Sequence, residues 1–298
     1  MENHEGISRR GFLKALAGAG TLLAIPAVPG LLTPLFRRPG PGEAVAYRDE
    51  AAAAKGTAAS KVAGSKLRQW AMVVDLRKCD GCVTIDEPPQ CTQGCIKEHF
   101  VPEGQKWVQV YQRELAGGGS AFMPTPCYQC ENAPCVNVCP VGATYHNEEG
   151  IVLINHDRCI GCRFCMAACP YQRRFFNWGT PELPPEARFA SYSPEYPVPA
   201  RRGTVIKCMF CAHRAAAGKL PACVEACPMN ALYFGDLEED AATNGVEVVP
   251  LSAFLSENNG YRYKEELGTR PRVWYIPGHG ETFDRLARDE RPLGQSKW

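Results

Sequence analysis

The sequence predicts an α+β fold of short helices and hairpins gathered around cysteines, with insertions and a C-terminal extension. Three observations predict it. Sixteen cysteines, far above ordinary usage, fall into four groups of four. Every group ends in C-x3-C, a step of about one helical turn, roughly 6 Å at ~1.5 Å per residue. Between the groups lie short apolar stretches, some alternating with polar residues, bounded by Gly, Pro and Asn, which suits brief strands and turns.

The central stretch, Cys127 to Pro170, carries the strongest signal. It reads CYQCENAPCVNVCP, then VGATYHNEEGIVLINHDR, then CIGCRFCMAACP. As spacings these are C-x2-C-x4-C-x3-C-P and C-x2-C-x2-C-x3-C-P. The second matches the run that binds [4Fe–4S] clusters in bacterial ferredoxins, where three close thiolates hold one cluster and the fourth holds its neighbour. A cubane presents four iron corners, each needing a thiolate. The short loop supplies three, and the helical turn carries the fourth away. Pro140 and Pro170 are expected to stop that turn, because proline lacks the N–H and clashes with the preceding residues.

The four groups are Cys79, Cys82, Cys91, Cys95; Cys127, Cys130, Cys135, Cys139; Cys159, Cys162, Cys165, Cys169; and Cys208, Cys211, Cys223, Cys227. A disulfide framework is the plain reading of a cysteine-rich exported chain. It requires neither the repeated spacings nor the proline after three of the four groups. Structural zinc suits paired C-x2-C units, but usually as two separated pairs rather than three-plus-one groups. Iron–sulfur clusters account for the whole pattern. A formal net charge of +1 gives no argument for nucleic acid, and 45 % hydrophobic residues fit a globular chain.

Taken in order, residues 1–46 read as an export signal. Ser8, Arg9, Arg10, Phe12, Leu13 and Lys14 form a twin-arginine motif. The uncharged stretch behind it holds Pro26, Pro29 and Pro34, a poor membrane helix. Ala44-Val45-Ala46 has the form of a cleavage site, with cleavage itself left open. Twin-arginine export moves folded chains, which suits cofactors assembled in a reducing cytoplasm and sixteen thiols kept from scrambling. Residues 47–69 form a polar linker.

Trp70–Leu76 (WAMVVDL) predicts a strand into the first group, C-x2-C-x8-C-x3-C. Residues Val83–Gln90 lengthen its second gap, are expected to loop out, and put Cys91 in question as a ligand. Trp107–Arg113 predicts a strand, and Gly117–Ser120 a turn. Ala143–Tyr145 and Ile151–Asn155 flank NEEG as a hairpin whose apolar residues are expected to shield the centres from water. Residues 171–203 hold many prolines and aromatics and no regular pattern. They read as a surface loop, or more sharply as a partner-contacting insertion. Arg173 and Arg174 are candidates to raise a cluster's potential or to dock a partner, with solvated arginines the equal alternative. Ala231–Phe234 predicts a strand after the fourth group, C-x2-C-x11-C-x3-C-P. The extension, 236–298, shows one clear strand candidate, Arg272–Ile276. His99, His146, His156 and His213 are expected to donate hydrogen bonds or sit at the surface rather than ligate iron. No catalytic residue, phosphate loop, dinucleotide fingerprint or covalent haem motif is found.

With all four groups in view, the chain resembles the four-cluster iron–sulfur subunits of the dimethyl sulfoxide reductase superfamily. It looks closest to the exported tetrathionate and polysulfide reductase branch. CYQCENAPCVNVCPVGAT, DRCIGCRFCMAACPY, KCMFCAHR and PACVEACP carry the resemblance, over about residues 70–236. It implies one two-cluster ferredoxin-like module (121–170) nested inside another (70–120 and 204–235). It implies four ligand sets: Cys127, Cys130, Cys135 with Cys169; Cys159, Cys162, Cys165 with Cys139; Cys79, Cys82, Cys91 with Cys227; Cys208, Cys211, Cys223 with Cys95. Some relatives lack one ligand of the third group and hold a three-iron cluster. Cys165 is present here, so four [4Fe–4S] clusters are expected. The resemblance further implies an electron-transfer subunit outside the cytoplasm, without catalysis of its own, between a quinone-reactive membrane subunit and a molybdopterin catalytic subunit. The alternatives are a conduit in a membrane complex with cytochromes, including cytochrome c, and a zinc-stabilised interaction protein.

Overall fold

The computed structural model describes residues 67–115, 120–278 and 291–292. The expected export signal, most of the linker and the Gly117–Gly119 turn lie outside them.

The strand WAMVVD becomes β1 (Trp70–Asp75). Its near-continuous apolar run marks a strand covered on both faces. It pairs antiparallel with β8 (Leu232–Asp236), Met72 opposite Phe234, and parallel with β12 (Val273–Ile276), Met72 opposite Val273. With β9 (Ala241–Thr243), β10 (Val248–Pro250) and β11 (Tyr261–Arg262) these form a six-stranded sheet ordered β10-β9-β8-β1-β12-β11. The period-2 alternation of strands then sorts its side chains. Met72, Val74, Leu232, Phe234, Val273 and Tyr275 point into a core that also holds the buried cysteines. Ala71, Val73, Tyr233, Trp274 and Ile276 point to the opposite side, where a helix at Leu251–Glu257 covers them with Leu251, Phe254 and Leu255. Each Val, Leu or Phe so buried contributes about 1.5–3 kcal/mol.

The extension is therefore more ordered than one strand candidate suggested. It supplies β9, β10, the Leu251–Glu257 helix, β11 and β12, and β12 lies directly beside β1. A run of three alternating residues carries too little pattern to be read in advance. The prolines also disguised order in 171–203. There β6 (Phe175–Phe176) pairs with β7 (Val205–Ile206), and Pro185–Phe189 makes a 3-10 turn.

The strand expected at Trp107–Arg113 is β2 (Gln109–Glu114). It pairs with two strands the sequence did not announce: β3 (Ser120–Thr125), which begins at the Ser120 expected in a turn, and the short β13 (Arg291–Pro292). β4 (Thr144–His146) and β5 (Val152–Ile154) form the expected hairpin.

Five short helices carry cysteines or follow them: α1 (Gln90–His99), α2 (Pro134–Asn137), α3 (Phe164–Ala167), α4 (Ala212–Ala216) and α5 (Ala222–Glu225). The Leu251–Glu257 helix is α6. Proline sets their lengths. The helices leading to Cys139-Pro140, Cys169-Pro170 and Cys227-Pro228 last four residues each. Cys95 is followed by isoleucine, and α1 runs ten residues until Phe100 turns left-handed. α1 packs against α5 and α2 against α3. Gly94 sets the first approach: a Cβ there would lie 2.6 Å from the Ala226 Cβ and 2.8 Å from the Ala222 carbonyl oxygen.

Candidate metal centres

All four C-x2-C loops bend alike. The residue before the second cysteine is left-handed in each: Gly81 (φ 67°), Gln129 (φ 46°), Gly161 (φ 70°) and Phe210 (φ 52°). Glycine adopts this conformation freely, while Gln and Phe do so against strain. Both strained side chains are buried where neighbouring segments meet. Gln129 donates to the Cys208 carbonyl at 2.9 Å and accepts the Val152 N–H at 2.9 Å. Phe210 meets Phe234 edge-on, 5.8 Å between centroids.

The folded chain brings the cysteines into four sets. Cys91 is pushed well above the ordinary thiol range, first by burial and then by Cys79, Cys227 and Cys82. Cys79 rises to about 12, mainly through burial, with Cys227 and Cys82 adding to it. The Val83–Pro89 segment does loop out, exposing Val83 and Ile85. Its length is absorbed there, and Cys91 sits on the first turn of α1 beside the other three. In the second set, Cys223 is raised by burial, then by Cys211, Cys208 and Cys95.

The third and fourth sets line pockets. Cys127, Cys130, Cys135 and Cys169 line one with about 330 Å³ of space, open solvent included, and Cys139, Cys159, Cys162 and Cys165 one with about 310 Å³. Strand β5 serves both, Val152 lining the first and Ile154 the second, the shielding expected of the hairpin. Among the described residues no three Cys, His, Asp or Glu side chains stand close enough to hold one metal ion. Four soft thiols lining one pocket are the donor set of a thiolate-ligated cluster.

The sets are linked. Cys91 and Cys95 share α1, and Cys95 feels Cys91 after Cys208 and Cys211. Cys127 acts on the Cys208 thiol and raises it, after burial, joining the second set to the third. Arg174 joins the third to the fourth: its Nη2 donates to Cys135 Sγ at 2.8 Å, and its Nη1 to Oγ1 of Thr144, which lines the pocket of the fourth set, at 3.3 Å.

Other donors reach the sulfurs. Ala143 and Ala231, each four residues past a Cys-Pro cysteine, donate main-chain N–H groups to Cys139 (3.2 Å) and Cys227 (3.4 Å). Burial pushes the Cys139 thiol up, but the N–H groups of Thr144, Val141 and Ala143 outweigh it, and the net shift is downward. The Gln90 N–H donates to Cys82 Sγ at 3.3 Å. Such bonds favour the anionic sulfur.

The histidines behave mostly as expected. Burial holds His99 neutral, its pKa lowered to about 3, and its Nε2 lies 3.1 Å from Cys211 Sγ. His146 Nε2 lies 2.9 Å from the Cys130 carbonyl, and His213 pairs with Glu98 at 2.8 Å. His156 is buried against Tyr192.

The arginines correct the sequence reading. Neither is solvated nor placed to dock a partner: Arg173 and Arg174 are about as buried as the core, at 5 % and 4 % exposure. Arg173 bonds the Tyr171 carbonyl (2.8 Å), Gln109, Thr125 and the Tyr111 hydroxyl. Partners 48 to 64 residues away from Arg173 in the chain hide this from sequence reasoning. Sequence reasoning also missed the clamp from the extension. The Glu131 and Asn132 N–H groups donate to the Arg270 and Thr269 carbonyls, and the Arg272 N–H to that of Tyr128. The Thr269 hydroxyl bonds the Cys130 sulfur.

Comparison with known proteins matches a family described as a 4Fe-4S dicluster domain at residues 119–183 and 196–237. A selenate reductase subunit of Mesobacillus selenatarsenatis is 39 % identical over 224 residues, covering 70 % of this chain and 72 % of that one. The chain belongs to the 4Fe–4S dicluster, ferredoxin-type subunits of respiratory oxidoreductases. Two more relatives extend the likeness. A tetrathionate reductase subunit of Salmonella typhimurium is 35 % identical over 72 % of this chain and 74 % of its own. The iron-sulfur cluster-binding subunit of menaquinone reductase from Nitratidesulfovibrio vulgaris is 37 % identical over 70 % of this chain and 88 % of its own. As dicluster subunits they are iron–sulfur electron-transfer proteins, and such subunits work within multi-subunit reductases. Among the described residues no helix is long and apolar enough to cross a membrane.

Proposed function

We propose that this chain carries four [4Fe–4S] clusters in a line through two nested modules. In this reading it passes single electrons between a quinone-reactive membrane subunit and a molybdopterin catalytic subunit outside the cytoplasm. The observation that carries the reading is the unbroken succession of cysteine sets. Set one (Cys79, Cys82, Cys91, Cys227) meets set two (Cys95, Cys208, Cys211, Cys223) along α1. Set two meets set three (Cys127, Cys130, Cys135, Cys169) at Cys208 and Cys127. Set three meets set four (Cys139, Cys159, Cys162, Cys165) at Arg174. The pairing of β1 with β8 around everything between them supports the nesting. When bound, iron–sulfur clusters supply one-electron carriers whose potentials follow charge, sulfur hydrogen bonds and burial. The chain's own part is to hold thiolates, donate hydrogen bonds to them and exclude water.

The fourth set marks a docking face. Ile160, Phe164 and Trp178 are 64 %, 60 % and 69 % exposed beside it, and Arg163 lies 4.6 Å over the Trp178 ring. Exposed apolar side chains grouped at a redox centre suit a partner. The double substitution Phe164→Glu with Trp178→Glu is expected to leave iron content intact and weaken partner association. A loss of about 2 kcal/mol per anchor is roughly thirtyfold. Co-purification with undiminished yield would remove this face from the interface.

The likeness to a menaquinone reductase subunit points to the quinone pool, and a conduit there in a membrane complex with cytochromes and no molybdenum enzyme is the second reading. Purifying the native complex in mild detergent and assaying molybdenum or tungsten beside haem decides between them. A pterin-bearing subunit with stoichiometric metal is expected. Cytochromes without molybdenum or tungsten would overturn that partner assignment in favour of the conduit.

A further inference from the structure

We infer that Arg174 is a shared counter-ion for the two inner cysteine sets and holds the reduction potentials of both their centres up. The inference rests on the cluster-carrying reading above. Its basis is a charge with unusual company. Arg174 is 4 % exposed, and its guanidinium donates to Cys135 Sγ at 2.8 Å and to Thr144 Oγ1 at 3.3 Å. Thr144 lines the pocket of the other inner set, and the Arg174 charge also acts on Cys165 there. The charges that act on it are cysteine sulfurs: Cys135, Cys165, Cys127 and Cys169.

A buried cation is costly unless anions and hydrogen bonds compensate it. Neutral thiols would offer little, and thiolates of two cluster sites offer enough. The fold thus pairs one fixed positive charge with two anionic sites at once. The charge of Lys207 also acts on Cys135 and Cys208, but the two other buried cations bond differently. Lys207 gives its hydrogen bonds to the main-chain carbonyls of Val152 and Cys208, at 2.7 Å for the latter. Arg173 likewise spends its donors on neutral oxygens. Arg174 alone among these three donates to sulfur. A reduced centre carries one more negative charge than an oxidised one, so a nearby fixed cation favours the electron. Placed against both sets, it raises both potentials together.

The test uses the full chain, purified without oxygen, as wild type, Arg174→Met and Arg174→Lys. Iron is counted, and midpoint potentials are followed by electron paramagnetic resonance during redox titration. For Arg174→Met, iron is expected to stay full while two of the four midpoints fall. Each should fall by at least a factor of ten in the reduction equilibrium, about 59 mV for one electron. Arg174→Lys, which keeps the charge, should restore most of the shift. If Arg174→Met loses iron, native iron and midpoints in Arg174→Lys still support the counter-ion role. Iron loss in both variants overturns it. So do full iron with unmoved midpoints, a single midpoint moving, or all four moving alike. A wild-type chain with no cluster would instead overturn the cluster reading itself, a distinct result.

Discussion

Cys165→Ser should cost the chain up to about a quarter of its iron and slow electron passage at least tenfold. Cys165 is buried at the start of α3, and its thiol lines the roughly 310 Å³ space shared with Cys139, Cys159 and Cys162. Serine offers a harder oxygen whose proton is held far more tightly than a thiol's, so a soft iron site loses its natural ligand there. The Arg174 charge acts on Cys165 as well as on Cys135, so the change reaches the neighbouring set. The fold should survive, because the fourth set lies beside the exposed Ile160 and Phe164 and Cys165 lies on no strand of the β1–β8–β12 sheet. Iron, sulfide and turnover measured on one preparation check this. Unchanged cluster content and turnover would count against Cys165 as a ligand.

Gly94→Ala should damage the opposite end. The added methyl would stand 2.6 Å from the Ala226 Cβ and 2.8 Å from a main-chain oxygen. Backbone cannot swing aside as a long side chain can, so α1 must lift off α5. Overpacking of this kind costs about 1–3 kcal/mol. The consequence for cofactors is larger. Cys91 and Cys95 flank Gly94 on α1, Cys223 lies on α5, and Cys227 follows it. These residues belong to sets one and two, so both should lose occupancy and about half of the iron with it. Sets three and four, gathered around α2, α3 and the β4–β5 hairpin, should keep theirs. Full iron in Gly94→Ala would mean that the two helices tolerate separation.

Spacing and period made much of this molecule legible from the chain alone. The cysteine intervals fixed which thiols could sit on one loop, and proline after Cys139, Cys169 and Cys227 fixed where helices stop. The apolar run Trp70–Leu76 and the stretches around NEEG were long enough to declare β1 and the β4–β5 hairpin. What stayed hidden depends on contacts across sequence distance. β12 finds β1 some two hundred residues back, by shape rather than by motif. His99 reaches Cys211 across a separation of 112 residues, and nothing near either residue announces it. The sequence left Arg174 open between tuning a cluster, docking a partner and facing solvent, because its partners, Cys135 and Thr144, come from the preceding group and hairpin. Gly94 carried no turn signal, since its role is closeness and its backbone is plain helix.

The central claim is that sixteen cysteines hold four cubanes in a line. Counting iron, acid-labile sulfide and zinc per chain on the anaerobically purified full chain tests it most directly. The account predicts about sixteen iron and about sixteen sulfide, four of each per cluster, with no stoichiometric zinc. About eight iron, or about four zinc in a colourless protein, would contradict it.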